Sequence, residues 1–491
     1  MHAPPLRLPL NGAEGLLAGH ADAHVAIVTR DAHIGYGALR DDVGRAAAVW
    51  RARGLLPGGR VAVQLCDGID WAVAWLGAVW AGGVPVGVSP RLTAMEWQAL
   101  LQASSFDLIV THAVADIPPA WRQRAVDMQT ARREMLATPP AAARRMAPES
   151  PAFWVHSSGS SGHPKAVVHA HRALGEIGRV SGERLGLTAH DRLFASSKLF
   201  FTYPLVNVLL AGLALGATVL LDPQWPSAAT VSDCVAALRP TVLFSVPSLY
   251  RDLLRDGTAA RLHRAGVARC VSAGEALSAR LREAWQQQSG LPLIDGYGAS
   301  ETLVLVLTGM PGDDGLRPSP GVQVQPQDPC AAAKGTPTRL RFDVGTLALG
   351  YHGSAAAEAD AFGDGGFCPA DLFVRTPRGG WRFAGREDTL VKIRGRWLDL
   401  VELGERLADG LPGLRESAAV CVPDADGVEA VAFFYVADDP SAVQRRLAER
   451  VAALPPHQRP AWLQALPELP RTATGKLLRR QLAQCLQRAA A

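Results

Sequence analysis

Short apolar runs alternate with stretches of helical length along most of the chain. Arg60–Cys66 (RVAVQLC) predicts a strand, Trp71–Ala81 a buried helix halted at Gly82–Gly83, and Val84–Val88 (VPVGV) the next strand. The alternation returns with a strand at Thr241–Val246, a helix from Ser248, a strand at Val267–Ser272, a helix over Leu277–Gln288 and a strand at Leu291–Asp295. Strand–helix–strand order predicts an α/β fold with a mostly parallel sheet. Strands that run into Gly-rich or acidic loops place those loops at strand C-terminal ends, where open α/β sheets hold ligands. Residues 310–340 are rich in Pro, Gly, Asp and Ala and predict an irregular surface segment. Beyond about residue 388 the pattern changes to strands near Ala418–Val422 and Ala430–Val436 and helices near Ser441–Ala453 and Lys476–Arg488. The expected division is therefore 1–387 and 388–491, with the boundary at Asp388. No repeat of 20–50 residues is visible.

Composition narrows the class. Hydrophobic residues make up 48% of the 491 positions and charged residues 20%, which excludes a disordered chain. A net charge of +4, with basic residues dispersed, argues against nucleic acid as a partner. The seven cysteines form no CxxC pair, so a zinc or dithiol motif is not indicated. An odd cysteine count in a long chain fits reduced thiols and a cytoplasmic location. The N-terminal stretch has no sustained apolar core, so no signal peptide is expected. The longest apolar candidate, Trp71–Val88, contains Gly and Pro and reads as a buried helix followed by a strand rather than a membrane span.

Four segments carry candidate chemistry. Ser157–Lys165 (SSGSSGHPK) follows an apolar run; its hydroxyls (Ser157, Ser158, Ser160, Ser161) and glycines (Gly159, Gly162) offer donors to an anion, and Lys165 adds a charge. It lacks the Walker spacing, so a different phosphate-handling loop is implied. Asp295–Thr302 (DGYGASET) places Tyr297 between glycines, where its ring can lie on a planar base, and Glu301 at a strand end, where a carboxylate can hold Mg²⁺ beside phosphates. Asp371 can accept from two ribose hydroxyls, and Arg386 can touch ribose or phosphate. Pro470–Lys476 (PRTATGK) projects an amine from a small-residue turn. Taken singly, the Ser/Gly segment has a flexible linker as its competing reading, the Tyr-Gly segment a turn, and Asp371, Arg386 and Lys476 plain solvated charges. Lysine, however, occupies only five positions among 50 basic residues: 165, 198, 334, 392 and 476.

In this order the segments resemble the ANL superfamily of adenylate-forming enzymes, from Leu55–Val61 and Ala81–Val86 (AGGVPV) to Lys476. The resemblance implies a large N-terminal domain of doubly wound α/β subdomains and a small, mobile α+β C-terminal domain hinged at Asp388. It implies ATP, Mg²⁺ and coenzyme A, or a phosphopantetheine carrier, as cofactors and co-substrates. By resemblance, Ser157–Lys165 takes the pyrophosphate end of ATP. Gly274, Glu275 and Tyr297 make the adenine site, with Asp295, Gly298 and Ser300 in the same nucleotide motif. Asp371 and Arg386 take the ribose, Glu301 the metal, and Lys476 the acid and α-phosphate.

Ser196–Asn207 (SSKLFFTYPLVN) and DGYGASETL are similar to segments of benzoate-type CoA ligases, which implies an aromatic acid held by Phe201, Tyr203, Gly296 and Gly298. For Tyr203 a plain core role is the competing reading. An acid–carrier-protein ligase and a medium-chain acyl-CoA synthetase are the alternative functions. The chain departs from the family pattern at Ala166, Ser300, Pro369–Ala370, Thr389 and Leu398–Leu400, and residues 310–345 are shortened; no charged catalytic group is lost.

Overall fold

The computed structural model describes residues 11–157, 165–353, 361–363, 365–387, 389–393, 396–424, 428–471 and 477–489. They divide into two compact units: the described residues within 1–157, 164–325 and 341–368 make the first, and those within 326–340 and 369–491 the second.

The first unit is built on two open sheets. One runs, in spatial order, Arg317–Pro318, Leu305–Gly309, Leu293–Gly298, Arg269–Ser272, Val242–Ser245, Arg192–Ala195, Thr218–Leu220, Val25–Val28 and His33–Gly35. Its interior pairs are parallel, and antiparallel strands close both edges. The other runs Gly350–Tyr351, Lys165–Ala170, Pro151–Ser157, Val84–Gly87, Arg60–Gln64, Leu108–Thr111 and Ala125–Asp127. The helix Ile69–Trp80 buries every residue from Trp71 to Trp80, as an all-apolar helix requires. Trp285, fully buried, packs edge-on against Tyr250 with centroids 4.6 Å apart in the core beneath the larger sheet.

The second unit is α+β. Its sheet joins Leu414–Pro423, Glu429–Ala437 and Trp462–Ala465. Val431, Phe433 and Tyr435 face a core shared with Leu400, Leu403 and Leu447, whereas Ala432, Phe434 and Val436 face Leu469 and Leu482. Covering both faces explains why this strand reads as a continuous apolar run. No helix among the described residues is long and apolar enough to cross a membrane.

Two expectations change. The 310–340 segment is not irregular throughout: it contains the strand Gln323–Pro326 and the helix Pro329–Ala333, started by Asp328, whose side chain accepts from Ala331 N, with Pro at the first helical position. The Asp–Pro start was hidden by the loop-like composition around it. The strand expected to stop at Asp295 continues to Gly298 because Gly296, Tyr297 and Gly298 pair with the returning strand Leu305–Gly309. A Cβ on Gly298 would lie 2.5 Å from the Val304 carbonyl oxygen, so only glycine allows this approach.

A buried histidine ties the two sheets' functional ends together. His169, inside Lys165–Ala170, is fully buried and stacks on Phe153 with centroids 5.0 Å apart. Its Nε2–H donates to the Ser300 carbonyl at 2.8 Å, since a carbonyl can only accept. Burial pushes its pKa down to about 4, so the ring stays neutral. Unfolding returns it to about 6.5, and the unfolded chain then binds the extra proton between pH 6.5 and 4. The stability advantage of wild type over His169→Gln should therefore narrow by up to about 3 kcal/mol as pH falls from 7.5 to 4. Chemical denaturation across that range checks this, and a pH-independent difference would contradict it. Gly298→Ala should cost about 1–3 kcal/mol in the same assay through backbone displacement.

Candidate active site

The strands on either side of the Ser/Gly segment pair antiparallel. Ser157 ends Pro151–Ser157 and pairs with Lys165, which begins Lys165–Ala170. Ser158, Gly159, Ser160, Ser161 and Gly162 lie outside the described residues.

Lys165 and Glu301 are brought together through a residue that motif reading missed. The Lys165 ammonium sits over the Tyr351 ring, 4.8 Å from its centroid. The Tyr351 hydroxyl donates to Glu301 Oε1 at 2.7 Å. Glu301 and Tyr351 are each only 7% exposed. A carboxylate buried to this degree needs hydrogen bonds or nearby positive charge, and both are present. Tyr351 carried no signal beyond a Gly-Tyr pair next to the shortened stretch.

The nucleotide motif has well-defined neighbours. Tyr297 lies 5.8 Å from Phe342, ring to ring. Ser300 Oγ and Thr202 Oγ1 are 2.9 Å apart. Asp295 pairs with Arg282 at 3.0 Å, and burial lifts its carboxyl to about 6 against the pull of that guanidinium. Gly274 adopts φ +87°, a left-handed turn that suits glycine. Glu275 accepts from Ser248 N and Oγ, both at 3.0 Å, and so caps the helix Pro247–Arg255.

In the acid segment, the Tyr203 hydroxyl donates to the Val271 carbonyl at 3.0 Å, and its ring meets Phe244 edge-on. Burial, reinforced by nearby Asp295, raises its pKa. Phe201 is 38% exposed and rests against Phe200. Gly296 leaves room filled by Leu305, whose Cδ1 would lie 2.7 Å from an added Cβ. Lys198 is buried, and its ammonium donates to the Asp222 carbonyl at 2.7 Å. Nearby, both Asp67 oxygens accept from Leu199 N, and burial lifts that carboxyl to about 7. Asp67 and Asp222 also escaped the sequence reading, because a lone Asp carries no signature.

In the second unit, Asp371 and Arg386 face each other across paired strands, with Nη1 and Oδ1 3.1 Å apart. Asp388 and Lys476 lie outside the described residues.

Among the described residues no group of three or more His, Cys, Asp or Glu side chains is arranged as a metal cage. A single buried carboxylate, Glu301, does fit Mg²⁺, which typically takes one or two protein carboxylates and completes its shell with water and substrate oxygens.

The family described as AMP-binding enzyme matches residues 17–334. A 3-hydroxybenzoate–CoA/4-hydroxybenzoate–CoA ligase of Thauera aromatica is 32% identical over 96% of this chain and 95% of its own. A 3-hydroxybenzoate–CoA ligase of Aromatoleum sp. (strain CIB) is 34% identical with the same coverage. The crystal structure of a benzoate CoA ligase from Burkholderia xenovorans LB400 superposes with a TM-score of 0.82 at 26% identity, covering 96% of this chain and 99% of that one. The chain belongs to the AMP-binding enzyme family, within the ANL superfamily of adenylate-forming enzymes.

Proposed function

We propose that this protein is an AMP-forming acid–thiol ligase that activates an aromatic, benzoate-like carboxylic acid with ATP and transfers the acyl group to coenzyme A. The observation that carries the reading is the Lys165–Tyr351–Glu301 cluster, in which a half-buried ammonium and a buried carboxylate both contact one buried tyrosine. The names of the hydroxybenzoate and benzoate CoA ligases support the acid and the acceptor.

A carboxylate is a poor electrophile because oxide would have to leave. In the first step its oxygen attacks the α-phosphorus of ATP, the bond from that phosphorus to the bridging oxygen breaks, and pyrophosphate departs. In the second step the thiol sulfur attacks the acyl carbon, the carbon–oxygen bond to AMP breaks, and the thiol proton passes to solvent. Both steps depend on positioning and charge. Ser157–Lys165 would bind the pyrophosphate end. Gly274, Glu275, Asp295, Tyr297, Gly298 and Ser300 would form the base side of the nucleotide site. Asp371 and Arg386 would hold the ribose. Glu301 would hold Mg²⁺, which supplies charge neutralisation on the phosphates when bound. Phe201, Tyr203, Gly296 and Gly298 would shape the acid pocket.

Lys476 would offset the two anions as they meet. Residues 1–387 and 388–491 would act as separate domains pivoting at Asp388, so that Lys476 serves the first step alone. A cytoplasmic location completes the proposal.

Lys476→Ala should lower acid-dependent ATP–pyrophosphate exchange by about 10²-fold or more, yet leave thioester formation from supplied acyl-adenylate largely intact. Equal loss of both half-reactions would contradict the division of labour. A panel of benzoate, hydroxybenzoates, aminobenzoates and medium-chain fatty acids, followed by pyrophosphate release with CoA or a holo carrier protein as acceptor, should show preference for an aryl acid and for CoA. Preference for an alkyl acid or for the carrier would overturn that part of the reading.

A further inference from the structure

We propose that Tyr351 is a positioning residue for the phosphate and metal site, holding the Glu301 carboxylate and the Lys165 ammonium in one fixed arrangement. The inference rests on the reading that Lys165 and Glu301 serve Mg·ATP, and adds a residue that no motif assigns.

Tyr351 is itself tightly placed. Gly350–Tyr351 is a two-residue edge strand, antiparallel to Lys165–Ala170, with Tyr351 opposite Val167. Leu349 N donates to the Val168 carbonyl at 2.8 Å and His352 N to the Ala166 carbonyl at 2.9 Å. The ring meets Phe362 edge-on, with centroids 5.3 Å apart. The same segment also grips the motif loop through its backbone. Ala348 N donates to the Glu301 carbonyl at 2.9 Å, and Thr346 Oγ1 donates to the Thr302 carbonyl at 2.7 Å. Glu301 is therefore held at its main chain by Ala348 and at its side chain by Tyr351.

The chemistry of the phenol suits this position. Its hydroxyl proton orients Glu301 Oε1, and the negative face of its ring attracts the Lys165 ammonium. One side chain thus spaces a cation from a carboxylate. A purely structural phenol would instead contribute only to stability.

Binding of α,β-methylene-ATP, which cannot release pyrophosphate, separates these roles when followed by calorimetry with Mg²⁺ and with EDTA. Tyr351→Phe keeps the ring and removes the hydroxyl. It should weaken nucleotide binding about tenfold in Mg²⁺, in keeping with loss of a hydrogen bond to a charged group, and little in EDTA. Glu301→Gln should show the same metal-dependent weakening, and the double variant should be no weaker than Glu301→Gln alone. Tyr351→Phe binding like wild type, or weakening equally in both backgrounds, would overturn the proposal while leaving the Glu301 assignment standing. Glu301→Gln binding like wild type would overturn the Glu301 assignment, and this proposal with it. If the Phe variant cannot be recovered folded, Glu301→Asp gives the second arm. It draws the carboxylate back by one methylene from the hydroxyl, and the same metal-dependent loss is expected; wild-type binding would overturn the proposal.

Discussion

A buried carboxylate, Glu301, whose hydrogen-bond donor Tyr351 also carries the Lys165 ammonium over its ring, is the constraint on which this account depends. Glu301 is buried and Lys165 half-buried, so their opposite charges are screened less than they would be in open water. The Tyr351 side chain touches both, taking the ammonium on its ring face and donating its hydroxyl to the carboxylate. Such a site is charged and preorganised. Electrostatic catalysis of adenylate formation requires these properties, because two anions must meet and a third must leave.

The surrounding fold serves that constraint. Lys165 opens a strand whose partner ends at Ser157, and the two residues pair directly across the sheet. Glu301 follows a strand that continues through Gly298 only because glycine lets the backbone approach Val304. His169 then links the first strand to the loop after the second through the Ser300 carbonyl, using a neutral ring that burial keeps neutral. Three separately encoded segments are thereby locked into one geometry.

The legible parts of this chain were those with a local cause. Alternating apolar runs marked the parallel strands, and the all-apolar stretch at Trp71–Trp80 marked a buried helix. The rarity of lysine drew attention to 165, and the Tyr-Gly-x-Ser-Glu run to Glu301. What stayed hidden depends on contacts between distant segments. Tyr351 acquires its role only when a two-residue edge strand pairs with Lys165–Ala170, and a pair that short has no periodicity to read. Glu275 has the same character: its carboxylate caps a helix that begins 28 positions earlier in the chain, at Pro247. The strand end at Gly298 was misjudged because glycines normally terminate strands, whereas here they permit a close hairpin.

The central claim is that an oxygen of the acid becomes bonded to the α-phosphorus of ATP. Benzoate or hydroxybenzoate labelled with ¹⁸O in the carboxylate, incubated with the enzyme, ATP, Mg²⁺ and CoA, tests this by mass spectrometry of the products. The account predicts one ¹⁸O in AMP and none in pyrophosphate. Label in inorganic phosphate, with ADP as the nucleotide product, or no transfer of label to any phosphorus, would contradict it.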